Sequence, residues 1–160
     1  KVFDKVRKEI PCKLILVGDG PERPAIEKLC RELQTCNDII SLGRINDPTE
    51  VLGLGDLFIL ARETESFGLG ALEAMATKLP VISTNTGGLP EVNLHGKTGY
   101  VSNVGDVDDM ATNSIKLLSN ENLYKDFSEN AYAQAVKFDI NHILPMYEKL
   151  YQNVVAKTIH

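Results

Sequence analysis

The sequence predicts an α/β domain, a doubly wound parallel sheet closed by helices at its C-terminal end. Three features predict it. Short apolar runs without polar alternation, such as Lys13-Leu14-Ile15-Leu16-Val17-Gly18, read as strands buried on both faces of a parallel sheet. Each run turns, mostly through glycine or proline, into residues with helical spacing, and the unit repeats, which implies right-handed βαβ crossovers. From Asp106 onward only helical spacing remains.

The chain opens on an amphipathic helix, residues 1–9, with no strand before it, which predicts a piece of a longer protein. The strand at 13–18 turns at Gly18-Asp19-Gly20-Pro21 into a helix over 22–33. Ile26, Leu29, Cys30 and Leu33 fall at helical spacing there, and Pro24 is tolerable within the first turn. A strand at 39–43, a turn through Asn46-Asp47-Pro48, a short helix over 49–54 and a strand at 57–60 make the second unit. The third is a helix over 68–77 and a strand at 80–83. Gly87-Gly88-Leu89-Pro90-Glu91 leads into a short helix, and 98–101 forms the last strand. Helices over 107–118, 122–137 and 142–155 follow, with Tyr124, Phe127, Tyr132, Phe138, Tyr147 and Tyr151 expected to pack on the sheet, or the last helix to cross to another domain of the parent. No linker interrupts the pattern, so residues 1–160 read as one domain.

Hydrophobic residues make up 43% and charged residues 24%, a balance that argues against a disordered or fibrous chain. A net charge of -5 supplies no concentrated basic surface for a nucleic acid, leaving room for a local site for one small anion. Cys12, Cys30 and Cys36 are odd in number and lack CxxC spacing, so they read as reduced thiols rather than a disulfide framework or zinc site. No stretch approaches the roughly 20 apolar residues of a membrane span, and no charged-then-apolar leader is found, so a cytoplasmic location is expected. His95, His142 and His160 are scattered, and none is expected to be catalytic.

Ligands of open parallel sheets bind beyond the carboxyl ends of the strands. Three loops there are rich in glycine and polar residues: Gly18-Asp19-Gly20, residues 63–70, and Thr84-Asn85-Thr86-Gly87-Gly88. The middle loop holds Glu65 and, eight residues on, Glu73. On one continuous helix these would lie roughly 12 Å and about 80° apart, too far to act on one atom. They suit different parts of one extended ligand. Amides around Phe67, Gly68 and Leu69 at a helix start favour a phosphate, and a carboxylate on either side suits a sugar and a ribose. The alternative is that both glutamates are solvated surface residues, although Glu73 sits among Leu72, Ala74, Met75 and Ala76.

The string Glu65-Ser66-Phe67-Gly68-Leu69 through Leu72-Glu73-Ala74-Met75-Ala76, then Pro80-Val81-Ile82 and Gly87-Gly88-Leu89-Pro90-Glu91, resembles the C-terminal domain of retaining GT-B glycosyltransferases of family four. Leu16-Val17-Gly18-Asp19-Gly20-Pro21-Glu22, Leu42-Gly43-Arg44, Gly96-Lys97-Thr98-Gly99 and Gly105-Asp106 extend the resemblance over residues 13–110. Within the family the text is especially similar to the N-acetylglucosaminyl-malate synthases of bacillithiol biosynthesis. The resemblance implies a Rossmann-like sheet, UDP-N-acetylglucosamine as donor, L-malate as acceptor, and no metal or other cofactor. It implies that Glu65 is the catalytic-site carboxylate on the donor sugar and Glu73 the ribose ligand. Phe67, Gly68 and Leu69 would contact sugar and diphosphate through their amides, Arg44 and Ile45 would line the base, and Gly18 would let the nucleotide approach.

The family's diphosphate-binding arginine and lysine have no match here, and would lie in the opening strand and loop of the C-terminal domain before Lys1, with the N-terminal acceptor domain expected further upstream. Arg62 stands where the family commonly has serine and is assigned no role. The resemblance thus implies an active parent and an inactive piece, with a homodimer of the parent left open. A nucleotide-sugar-binding module without turnover, a family member acting on a polysaccharide or lipid, and an unrelated doubly wound domain remain as alternatives.

Overall fold

A computed structural model describes the backbone of residues 1–158; His160 lies outside the described residues. Among the described residues five parallel strands alternate with helices, as the sequence predicts, and they form two sheets. Strand β1 (Leu14–Val17) pairs with β2 (Ile39–Gly43), Leu14 opposite Ile39. Strands β3 (Phe58–Leu60), β4 (Val81–Thr84) and β5 (Gly99–Ser102) pair in that order, Val81 lying between Phe58 and Gly99. Among the described residues β1 and β3 each pair on one side alone. The fold class is the one the sequence predicts, with its strands divided between two parallel sheets.

The second sheet is the packed one. All four residues of β4 are buried, and its two faces enter different clusters. Val81 joins Ala71, Ala74 and Met75 of α4 (Leu69–Ala76), Leu89 and Val92 of α5 (Leu89–Val92), and Ala131 of α7 (Glu121–Val136). Ile82 joins Tyr100, Phe127, and Met110 and Leu117 of α6 (Val107–Leu118). Helices therefore cover both faces, and period-two alternation along β4 divides its side chains between them. Alanines on α4 let that helix lie close to the strands. Asp106 and Asn120 start α6 and α7 by accepting the amides of Asp109 and Leu123, each at 3.0 Å.

The first sheet departs from expectation. Leu14, Ile15 and Leu16 are only half-buried, Val17 is exposed, and α2 (Arg23–Glu32) buries no residue fully. With its second edge unpaired, β1 is not covered as an interior strand would be. Helix α1 (Val2–Glu9) links the two sheets: Val6 is buried and α1 lies on α6, while Arg7 and Lys13 both reach Asp38 at 2.6 Å, just before β2. The lysine hydrogen bond, then the nearby charges of Lys13 and Arg7, hold the Asp38 carboxyl below its ordinary value.

Two further expectations are corrected. Cys30 and Cys36 form a disulfide with Cα atoms 5.0 Å apart, leaving Cys12 as the free thiol. Gln34 takes φ 53° after α2 and the Thr35 amide returns to the Cys30 carbonyl at 2.9 Å, so the chain doubles back and brings the sulfurs together. Helix α8 (Ile140–Thr158) does not pack its aromatic residues on a sheet, since Tyr147 and Tyr151 are exposed together with Ile140, Leu144 and Leu150. On α7 Phe127 is buried as expected, whereas Tyr132 is exposed. No helix among the described residues is long and apolar enough to cross a membrane.

One polar side chain organises the packed sheet. Asn93, fully buried, donates from Nδ2 to the carbonyls of Val81 (3.0 Å) and Tyr100 (3.2 Å) and to Ser83 Oγ (2.9 Å). Its Oδ1 accepts from Thr98 Oγ1 at 2.9 Å. It bridges β4 to β5 at the point where Gly99, without a Cβ, lies against the Val81 carbonyl. Asn93→Ala strands several buried polar atoms and is expected to cost about 2–4 kcal/mol in urea unfolding; an unchanged midpoint would contradict the bridging role.

Candidate functional site

The carboxyl ends of the strands gather the loops singled out in the sequence. At the end of β1, Gly18 adopts φ +120° and donates its amide to the Gly43 carbonyl at 2.7 Å. That bond joins the loops after β1 and β2 and brings the segment of Arg44, exposed, and Ile45, half-buried, beside Gly18. The second loop continues to Pro48 and α3 (Thr49–Leu52). Between these elements and α4 lies a cavity of about 170 Å³ lined by Val17, Pro48, Val51, Leu52, Phe58, Gly70 and Glu73. Ligand pockets usually hold about 300–1,000 Å³, so this one accommodates part of an extended ligand. Glu73 is exposed on α4 and forms part of the cavity wall.

Glu65 is placed differently. It precedes α4 on the loop after β3 and does not line that cavity. Its side chain is only 13% exposed. Oε1 accepts the Ser66 amide at 3.0 Å, and Oε2 lies 3.2 Å from Nη1 of Arg62. Glu65 thus lies before α4 and Glu73 within it.

Between them the backbone offers donors. Gly68 begins α4 with φ +96°, and its carbonyl accepts the amides of Ala71 and Leu72. The amides of Phe67, Gly68 and Leu69 have no hydrogen-bond partner among the described residues. Unpaired amides at a helix start, with the aligned peptide dipoles behind them, favour an anion. The side chains of Phe67 and Leu69 are exposed, Phe67 resting edge-on against Phe138 with ring centroids 5.8 Å apart.

The loop after β4 supports this arrangement. Gly87 has φ +52°, and a Cβ on it would fall 1.7 Å from the Glu65 carbonyl oxygen. The Gly88 amide donates to the Ser66 carbonyl at 3.1 Å. Thr84 Oγ1 and Thr86 Oγ1 donate to the Arg62 carbonyl at 2.6 and 3.4 Å. Sequence reasoning placed this loop at the cleft but did not see that it holds the other loop's backbone. The adjacent glycines were the available signal, because close backbone approach requires them.

The model of the family described as "Glycosyl transferases group 1" matches residues 1–134. The chain belongs to that family. It is 40% identical over 156 residues to the N-acetyl-alpha-D-glucosaminyl L-malate synthase of Bacillus anthracis, covering 97% of this chain and 41% of that protein. The sucrose-phosphate synthase of Thermosynechococcus elongatus superposes with a TM-score of 0.85 at 25% identity, over 98% of this chain and 42% of the other. A pneumococcal O-GlcNAc transferase, solved with UDP and GlcNAc, superposes with a TM-score of 0.85 over 96% of this chain and 32% of its own; at 21% identity that likeness speaks for the fold alone. The neighbours are GT-B glycosyltransferases, as the sequence resemblance implied. The chain spans about two fifths of the length of the malate synthase it matches.

The contact between Gly87 and Glu65 makes a specific demand of this group 1 glycosyl transferase domain. Gly87→Ala must displace the Glu65 carbonyl and is expected to cost about 3 kcal/mol or more. Gly96→Ala, also at positive φ (+76°) but with no atom within 4 Å of the added Cβ, is expected to cost about 1–2 kcal/mol. Equal losses in thermal unfolding would show that backbone strain, rather than the loop contact, sets the cost.

Proposed function

We propose that this chain is the donor-binding domain of a retaining glycosyltransferase. The full-length protein transfers N-acetylglucosamine from UDP-N-acetylglucosamine to a small hydroxy acid such as L-malate. The observation that carries the proposal is the row of unpaired amides at Phe67, Gly68 and Leu69, with Glu65 before it and Glu73 beyond. A diphosphate lies on the amides, the sugar hydroxyls donate to Glu65, and the ribose hydroxyls donate to Glu73. The base is received by Gly18, Arg44 and Ile45, a reading supported by the Gly18–Gly43 hydrogen bond and by Val17 and Pro48, their chain neighbours, in the cavity wall. The choice of donor and acceptor is supported by the name of the 40%-identical relative.

In the reaction the bond from the anomeric carbon to the diphosphate oxygen breaks, and a bond to the acceptor hydroxyl oxygen forms on the same face. The acceptor proton passes to the departing diphosphate. The chain's amides stabilise the charge that develops on that group. No metal is assigned. An arginine and a lysine from beyond this chain complete the neutralisation, in a cytoplasmic enzyme whose other domain binds the acceptor. A strand of the same protein placed between β1 and β3 is supported by the unpaired edge that each retains. In the full-length protein the amides along both edges are expected to be slow in hydrogen exchange, and fast exchange there would remove the strand from the proposal.

Titration and transfer assays on the full-length protein test the division of labour. Glu73→Ala is expected to weaken UDP binding about tenfold or more. Glu65→Gln is expected to leave UDP binding within about twofold while lowering transfer by about a hundredfold. Binding of UDP-N-acetylglucosamine with neither transfer nor hydrolysis would instead identify a sugar-nucleotide-binding module. Transfer to an acceptor other than malate would retain the enzyme and replace the acceptor.

A further inference from the structure

We infer that Arg62 is a positioning residue for Glu65, orienting its carboxylate for the hydroxyls of the donor sugar. The inference rests on the reading of Glu65 given above. Both members of the pair are anchored through their backbones to the loop after β4. The Arg62 carbonyl accepts from Thr84 Oγ1 and Thr86 Oγ1, and the Glu65 carbonyl lies against Gly87. Their side chains then meet across three residues, Nη1 to Oε2 at 3.2 Å, while the Ser66 amide holds Oε1 at 3.0 Å.

Each oxygen of an ionised carboxylate can accept about two hydrogen bonds. With one position on each oxygen filled from the protein, one on each is left, and the plane of the group is set. Two neighbouring sugar hydroxyls can be received by such a group without first ordering a free side chain, which is how preorganisation lowers a barrier. Glu65 is 13% exposed and Arg62 62% exposed, so the guanidinium covers the carboxylate from the solvent side. The pair is open to solvent on its Arg62 side, and with the Ser66 amide still on the carboxylate such a contact contributes little to folding. The effect therefore falls on turnover rather than on stability.

The test is a double-mutant cycle in the full-length protein, with Arg62→Ala, Glu65→Gln and both together. UDP affinity, kcat and KM for UDP-N-acetylglucosamine, and the melting temperature are measured for each. Arg62→Ala is expected to lower kcat about three- to tenfold, with UDP affinity within about twofold and melting unchanged. Arg62→Lys, which keeps the charge, is expected to recover part of the loss. In the Glu65→Gln background, Arg62→Ala is expected to change kcat less than about twofold, since the group it orients is gone. Equal losses in both backgrounds, or an unchanged kcat, overturn the inference. A fall in UDP affinity on Arg62→Ala also overturns it and places the guanidinium on the diphosphate. If Glu65→Gln alone leaves transfer intact, the reading of Glu65 itself fails, which is a different result from normal turnover in Arg62→Ala beside an impaired Glu65→Gln.

Discussion

The approach of the Gly87 backbone to the Glu65 carbonyl is the constraint on which the site depends. A side chain at Gly87 would occupy the same space as that oxygen, so the loops after β3 and β4 meet main chain to main chain. Hydrogen bonds from Gly88, Thr84 and Thr86 continue the contact along Ser66 and Arg62. The consequences extend outward. Glu65 is directed by a loop that cannot slide, α4 starts at a fixed place, and the free amides at its start face a fixed direction.

That loop pair is rigid because of what lies beneath it. Strand β4 is buried along its whole length, with Val81 and Ile82 in clusters on opposite faces. Asn93 ties β4 to β5 from inside, where an unpaired amide would be costly and a paired one fixes register. The first sheet is held less firmly, by α1 and by the ion pairs of Asp38. The half of the cleft that includes Glu65 thus stands beside the fully buried β4, and the half at Val17 and Gly18 on a sheet whose β1 is only half-buried.

Local pattern made most elements legible. The helix expected over 107–118 is α6 to the residue, because a regular apolar stripe and an acidic cap mark it, and the strands differ by at most one residue at either end, β2 by none. Pairing was less legible, since nothing in the text of β1 distinguishes a strand with one neighbour from one with two. The Cys30–Cys36 bond depends on the reversal at Gln34, a backbone choice that spacing does not announce. The failure at Tyr147 and Tyr151 has the same origin: helical spacing identifies an apolar face without saying what covers it. In the site, residue types pointed to Glu65, Glu73 and the glycines, whereas the role of Thr84 and Thr86 arises from hydrogen bonds to a segment some twenty residues earlier.

The different burial of the two glutamates follows from where the helix begins. Gly68 takes a left-handed conformation in which Leu89 would crowd any Cβ, at 2.6 Å, so α4 starts there. Glu65, upstream, is enclosed between loops, where the Ser66 amide and the exposed guanidinium of Arg62 reach its two oxygens and set its direction. Glu73, one turn and more inside α4, projects from a helix whose Ala71, Ala74 and Met75 occupy the buried side, and so reaches the cavity from solvent without such support. An enclosed, oriented carboxylate suits the sugar end of a ligand, where small errors of position affect reaction. An exposed one suits a ribose, where binding alone is required. The amides of Phe67, Gly68 and Leu69 between them stay unpaired, and at a helix start such main-chain donors suit an anion whatever side chains those positions carry.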